Sequence, residues 1–153
     1  MYFTTMDSPI GMYLIGASER GITYVDRFKE GDVIPEMNES PLLTEAKKQL
    51  EAYFSGAATA FDLPLDTAGT PFQESVWEAL RAIPYGHTVS YKDIAVAVSN
   101  PKAVRAVGGA NNRNPISIIT PCHRVIGING KLVGYGGGMD AKEYLLQLER
   151  ENS

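Results

Sequence analysis

Short runs in which apolar and polar residues alternate open the chain. Residues 2–6, 12–15 and 22–28 carry this two-residue period and are separated by Ser8-Pro9-Ile10-Gly11 and Ser18-Glu19-Arg20-Gly21, so they predict three strands of an antiparallel meander. The polar stretch 31–40 predicts a loop. Over residues 41–54 the period changes: Leu42, Leu43, Ala46, Leu50, Tyr53 and Phe54 recur at helical spacing with Lys47 and Lys48 opposite. That is an amphipathic helix, expected to pack on the meander. Residues 61–65 predict a further strand, and Asp66-Thr67-Ala68-Gly69 a linker.

Beyond the linker the pattern is helical. Thr70-Pro71-Phe72-Gln73 joins a capping threonine, a proline at the first helical position and a glutamine placed to complete a capping box. The helix that follows turns Phe72, Val76, Trp77, Leu80 and Ile83 inward and stops at Pro84-Tyr85-Gly86. Ser90-Tyr91-Lys92-Asp93 repeats the box and predicts a short helix through Val98; Asn100-Pro101 predicts the start of another, running to about Asn112 and stopped by Asn114-Pro115. Two short helices joined by a tight turn resemble a helix-turn-helix. Ala103, Ala106, Gly108, Gly109 and Ala110 make the second of them unusually small-sided. A glycine inside a helix costs about 1 kcal/mol relative to alanine, so some close approach is expected, by a neighbouring helix or by a DNA backbone. A last helix is predicted over 139–151, with Asp140 as its cap, Glu143 completing a box, and Leu145 and Leu148 inward. Two domains are expected, 1–68 and 69–153.

Composition narrows the classes. The apolar share of 44% and charged share of 21% are those of a soluble globular chain, and no apolar run approaches the ~20 residues of a membrane span. Met1-Tyr2-Phe3-Thr4 lacks the basic start and apolar core of a secretory signal, and a lone cysteine forms no internal disulfide. A cytoplasmic location is the expectation. The net charge of −4 argues against nucleic acid until its distribution is considered. Through Thr70, five basic residues face eleven acidic ones, which leaves the remainder net positive; between Arg81 and Lys131, seven basic residues are opposed by Asp93 alone. Such a patch could meet phosphates, or could be a solvated face.

The chemistry converges on Asn114-Pro115-Ile116-Ser117-Ile118-Ile119-Thr120-Pro121-Cys122-His123-Arg124-Val125. The apolar run predicts a buried, extended path, and Pro121 fixes the approach to the only thiol. Thiolate is the nucleophilic form, so a base or a positive field is needed nearby, and His123 and Arg124 are the candidates. An isolated cysteine is more often an inert core residue. Neighbours in an extended chain also point to opposite sides, so a thiol and imidazole in sequence meet only through a water or a local bend.

Pro121-Cys122-His123-Arg124-Val125 resembles the active-site signature of the O6-alkylguanine-DNA alkyltransferase family. Ser90-Tyr91, Arg105-Ala106-Val107-Gly108, Asn114-Pro115, Gly134-Tyr135, Gly137-Gly138 and Glu149 stand in that family's order and spacing, so the resemblance covers essentially everything after Thr70; the Ser8-Pro9-Ile10-Gly11 turn extends it weakly to the N-terminal part. The resemblance implies an α+β fold: an N-terminal antiparallel sheet with a helix, ribonuclease H-like, and a mainly α, winged helix-turn-helix C-terminal domain. It implies that Cys122 accepts the alkyl group of O6-alkylguanine, and of O4-alkylthymine, once and irreversibly. His123 would draw off the thiol proton through a water, with Glu149 orienting the imidazole; Tyr91 would contact the base and help protonate it, and Asn114 would brace the active-site loop.

It further implies double-stranded DNA as partner, with the damaged nucleotide flipped out and Arg105 filling the gap. Ala103, Ala106, Gly108 and Ala110 would line a minor-groove contact, with Arg113 and Arg124 beside them. The pocket would be formed by the Cys122 and Val125 carbonyls, Tyr135 and Gly136, with Ser117 in its wall. Glycine at 136 and serine at 117, where some members carry serine and proline, bear on bulky benzyl groups rather than on the reaction. A monomer without cofactor or metal is implied; the structural zinc of some members needs more cysteines and histidines than this chain has. Three rivals differ in class: a non-catalytic lesion binder, which would lack the cysteine; a winged-helix regulator with a redox thiol, its wing at Ile128-Asn129-Gly130-Lys131; and a cysteine hydrolase, for which no oxyanion-hole motif is evident.

Overall fold

A computed structural model describes residues 1–127, 135 and 138–153. The chain divides into two compact units, Met1–Thr67 and Ala68–Ser153.

The first unit is an antiparallel meander with one helix. Strands β1 (Tyr2–Ser8), β2 (Gly11–Ala17) and β3 (Ile22–Arg27) lie in the order β1-β2-β3. The first hairpin is tighter than expected: Ser8 pairs with Gly11, leaving two residues in the turn, because Gly11 takes a φ of +111° and the Ser8 hydroxyl bonds the Gly11 carbonyl and the Ile10 amide. Alternation along the strands buries Met6, Tyr13, Ile15 and Val25 on one face. Against it lies α1 (Pro41–Phe54), which buries Leu43, Ala46, Leu50, Tyr53 and Phe54. Ser40 caps α1 by accepting from the Leu43 amide. Residues 61–65 form no strand. Leu65 makes a single parallel bridge to Ile22, and Pro64, with no N–H to give, limits the ladder there.

The second unit is mainly helical. Both predicted capping boxes are present: Thr70 with Gln73 starts α2 (Pro71–Arg81), and Ser90 with Asp93 starts α3 (Tyr91–Ala97). The next helix, α4 (Val104–Asn112), begins later than Asn100-Pro101 suggests. The Ala103 amide bonds back to the Asn100 carbonyl, so residues 100–103 close a turn with proline at its second position, and α4 starts without a side-chain cap. The last helix, α5 (Met139–Asn152), also lacks a side-chain cap; Gly138, and not Asp140, stands at its N-cap. Trp77 on α2 is buried and donates its indole N–H to the Ala110 carbonyl on α4 at 2.9 Å. Val76, Leu80, Ile94, Val107 and Cys122 share one core with it. Among the described residues no helix is long and apolar enough to cross a membrane.

The run before the cysteine departs furthest from expectation. Residues 116–120 are buried but turn back on themselves: the Ile119 amide bonds the Ser117 carbonyl, the Thr120 amide bonds the Ile116 carbonyl, and Ile118 adopts a φ of +71°. A β-branched residue in that region is strained, and the surrounding bonds hold it there. The chain then makes a 3-10 turn, Cys122–Arg124, and enters β5 (Val125–Ile126), which pairs in parallel with β4 (Val89–Ser90). This short pairing sets Ser90 beside Ile126, and so brings the start of α3, with Tyr91, to the cysteine turn.

Candidate active site

Cys122 is 5% exposed and begins the 3-10 turn, its amide bonded to the Thr120 carbonyl. Asn114 braces the preceding loop: its Nδ2 donates to the Thr120 carbonyl at 2.7 Å and to the Ile116 carbonyl at 3.3 Å, while its Oδ1 accepts from the Ile116 amide. Arg81 adds a bond from Nη1 to the Thr120 hydroxyl. A 3-10 turn rotates successive side chains by about a third of a circle, so Cys122 and His123 do not point to opposite sides as they would in an extended chain.

His123 is fully buried, and its Nε2 lies 2.6 Å from Oε2 of Glu149. A carboxylate only accepts, so Nε2 carries the hydrogen and Nδ1 the lone pair. Nδ1 is buried and has no hydrogen-bond partner among the described residues. Glu149 also accepts from Arg124, Nε to Oε1 at 2.9 Å and Nη2 to Oε2 at 3.1 Å, and from the Gly86 amide. Burial pushes the His123 imidazole below its ordinary range; the bond and charge of Glu149 oppose this, while Arg124 and Lys142 reinforce it. Because the Glu149 charge is shared with Arg124, burial wins and the imidazole is neutral.

Lys142 is buried on α5 and donates from Nζ to the Val125 carbonyl at 2.6 Å; burial lowers it to about 8, against an attraction to Cys122. At neutral pH it is still an ammonium, and the same attraction favours a negative sulfur. Tyr91 is half-buried; desolvation and then the Cys122 charge push its phenol above the ordinary range. The group thus contains a supported thiol, a neutral imidazole with a buried lone pair, a carboxylate behind it, a buried cation and a phenol. It can deprotonate the sulfur and hold the charge that results.

Of the other expected residues, Arg105, Ala106 and Arg113 are exposed, Ala103 and Gly108 half-buried. Gly109 has nothing within 4 Å of where a Cβ would stand, and Gly108 meets only Tyr91 at ordinary contact distance, so internal packing does not demand the pair. Two expected DNA contacts are corrected. Arg124 is 7% exposed, its guanidinium taken up by Glu149 and by the Ile83 carbonyl at 2.7 Å. Ala110 is buried in the core shared with Trp77. Ser117 is buried, and Tyr135 packs half-buried against the core that holds Cys122. Gly134, Gly136, Gly137 and the wing at Ile128-Asn129-Gly130-Lys131 lie outside the described residues. Lys142 was missed, although Lys142, Leu145 or Leu146, and Glu149 fall on one helical stripe and signal a shared buried face. Asn111, also missed, carries no signal apart from its place on the inward side of α4.

One chemically supported thiol, set behind a pair of short helices with an exposed basic face, defines a thiol-nucleophile class on a helical binding unit. The chain belongs to the 6-O-methylguanine DNA methyltransferase family: the DNA binding domain of that description matches residues 71–151, and its ribonuclease-like domain matches residues 1–67. The methylated-DNA–protein-cysteine methyltransferase of Methanosarcina barkeri is 53% identical over 156 residues, covering 99% of both chains, and the constitutive one of Bacillus subtilis is 50% identical over 158 residues, covering 97% of this chain and 95% of its own. The crystal structure of Mycobacterium tuberculosis OGT in complex with DNA is similar at a TM-score of 0.92, with 45% identity over 100% of this chain and 95% of that one. An O6-methylguanine DNA methyltransferase from Methanococcus jannaschii is similar at a TM-score of 0.71, with 28% identity over 99% of this chain and 94% of that one.

Proposed function

We propose that this chain repairs O6-alkylguanine in duplex DNA by moving the alkyl group onto Cys122 Sγ, once per molecule. The observation that carries the reading is the buried, neutral His123 held by Glu149 beside the only cysteine of the chain. The thiol proton passes by way of a water to Nδ1 of His123, and Lys142 holds the sulfur negative. The sulfur attacks the alkyl carbon in line with O6. One S–C bond forms, the C–O6 bond breaks, and its electron pair remains on the purine, which Tyr91 stabilises by a hydrogen bond and which is protonated to guanine. A thioether has no leaving group that water could displace, so the protein is consumed. The reaction balances without a cofactor.

A base inside the stack cannot present its alkyl carbon to a buried sulfur, so the nucleotide is flipped into the site. Arg105, exposed on the same helix that reaches Cys122 through Asn111, takes the emptied place in the duplex, and Ala103, Ala106 and Gly108 let α4 approach the minor groove with Arg113 on phosphate. The Cys122 and Val125 carbonyls accept from the exocyclic amine of guanine; each already receives one hydrogen bond, from Asn111 and Lys142, and a carbonyl takes two. Tyr135, Gly136 and Ser117 complete the pocket. O4-alkylthymine is a second substrate, and the protein works as a monomer in the cytoplasm.

The test is equimolar incubation with duplex DNA bearing isotopically labelled O6-methylguanine, followed by peptide mass analysis. One labelled methyl per chain, on the Cys122 peptide, and none in Cys122→Ser, is the expected result. Continued turnover, or label on another residue, overturns the reading.

A further inference from the structure

The turn that follows α2 meets the buried ion pair from behind. The His87 amide bonds the Pro84 carbonyl at 3.1 Å, and Gly86, third residue of this turn, has a φ of +78°. That φ is the mark of a type II turn, whose central peptide, here Tyr85–Gly86, is turned over by about 150–170° relative to the commoner type I. Both sides of this peptide are engaged. Its carbonyl accepts from His87 Nδ1 at 3.1 Å, and its N–H donates to Glu149 Oε1 at 3.2 Å. A carbonyl only accepts, so the His87 ring carries a hydrogen on Nδ1. The same stretch holds the other member of the pair: the Ile83 carbonyl accepts from Arg124 Nη1 at 2.7 Å, and the Arg124 guanidinium lies over the Tyr85 ring, 5.6 Å from its centroid.

A carboxylate offers about four acceptor positions, and His123 Nε2 and Arg124 Nη2 at Oε2, with Arg124 Nε and the Gly86 amide at Oε1, match them. His123 and Arg124 are neighbours in one short turn and move together, so the Gly86 amide is the anchor that comes from another part of the chain. Only glycine suits the position: its φ is left-handed, and a Cβ there would stand 2.7 Å from the Cβ of Ser153. Were the turn to relax to type I, the Tyr85 carbonyl would take the place of the Gly86 N–H and repel the carboxylate it now holds. We propose that the Tyr85–Gly86 peptide is a positioning element of the proton relay: held by the His87 ring on one side, it aims its N–H at Glu149 on the other and so fixes the carboxylate that orients His123. His87, exposed and outside the pocket, thereby acts on the thiol through one peptide, one carboxylate and one imidazole.

This inference rests on the alkyl-transfer reading, and the experiment separates the two. Single-turnover transfer from O6-methylguanine in duplex DNA is measured alongside alkylation of Cys122 by iodoacetamide across pH, which needs the thiolate but no DNA. Gly86→Ala and Gly86→Asn set the same Cβ against Ser153, but asparagine tolerates the left-handed φ and alanine does not. Gly86→Ala is expected to slow transfer by about tenfold and to raise the pH midpoint of iodoacetamide alkylation by about one unit, with Gly86→Asn close to the unaltered protein in both. Equal effects of the two substitutions, or slower transfer in Gly86→Ala with the midpoint unmoved, would each overturn it. If Gly86→Ala does not fold, His87→Phe, which removes the Nδ1 hydrogen, is compared with His87→Asn, which returns a donor near its place. A midpoint raised by the first and not by the second is expected, and equal midpoints overturn the proposal. An unaltered protein that iodoacetamide alkylates but that takes no methyl from DNA would sink the repair function itself, not the role of this peptide.

Discussion

The two units bury different things. In Met1–Thr67 the interior is Tyr13, Ile15, Ile22, Val25, Leu43, Leu50 and Tyr53, and no charged side chain is buried there. In Ala68–Ser153, His123, Arg124, Lys142 and Glu149 are all buried within a shell of apolar residues. Apolar burial stabilises in proportion to area, whereas a buried charge must be paired to avoid destabilising its unit. The first interior serves stability. The second accepts a thermodynamic burden because its ionisable groups act on the thiol and on one another most strongly away from water, at low dielectric.

Glu149→Gln breaks this contrast most sharply. It keeps the shape but leaves Arg124 buried without a counter-charge, and denies His123 its carboxylate. Denaturant unfolding should show a loss of about 3–5 kcal/mol, and single-turnover transfer should slow by about a hundredfold. Leu50→Ala tests the other interior: it should cost about 2–5 kcal/mol by the same melts, with the transfer rate per folded chain unchanged. A slower chemical step in folded Leu50→Ala would show that the apolar interior also serves catalysis. The smallest effect is acid sensitivity. His123 is lowered on folding, so the unfolded chain takes up a proton first as pH falls through about 6.5, and stability is lost from there down to the folded value, at no more than about 1.4 kcal/mol per pH unit. Hydrogen exchange at pH 7 and pH 5.5 should show α5 amides losing protection while β2 amides hold theirs. Equal losses in both would dissolve the contrast.

What was legible in the sequence follows the same divide between local and long-range causes. The α1 helix, the meander and the two capping boxes rest on periodicity and on side chains that bond within three residues, so 41–54, 71–81 and 91–97 could be read directly. Residues 116–120 could not, because an apolar run looks alike whether it extends or turns, and the brace from Asn114 and the link from Arg81 to Thr120 are tertiary. The start of α4 was misplaced because a proline after asparagine suits a turn as well as a helix. Around the thiol, Cys122, His123 and Glu149 were named through a resemblance, and chemistry alone supplied only the first two. Arg124 was misassigned because a basic residue in a positive stretch reads as surface until its carboxylate partner, 25 positions later, is seen.

The indole of Trp77 is the only one in the chain, and its N–H is fixed on the Ala110 carbonyl of the helix that bears Arg105. Any tilt of that helix changes the polarity around a single fluorophore. The protein carries its own optical gauge of engagement, readable in a stopped-flow trace without a dye or a tag.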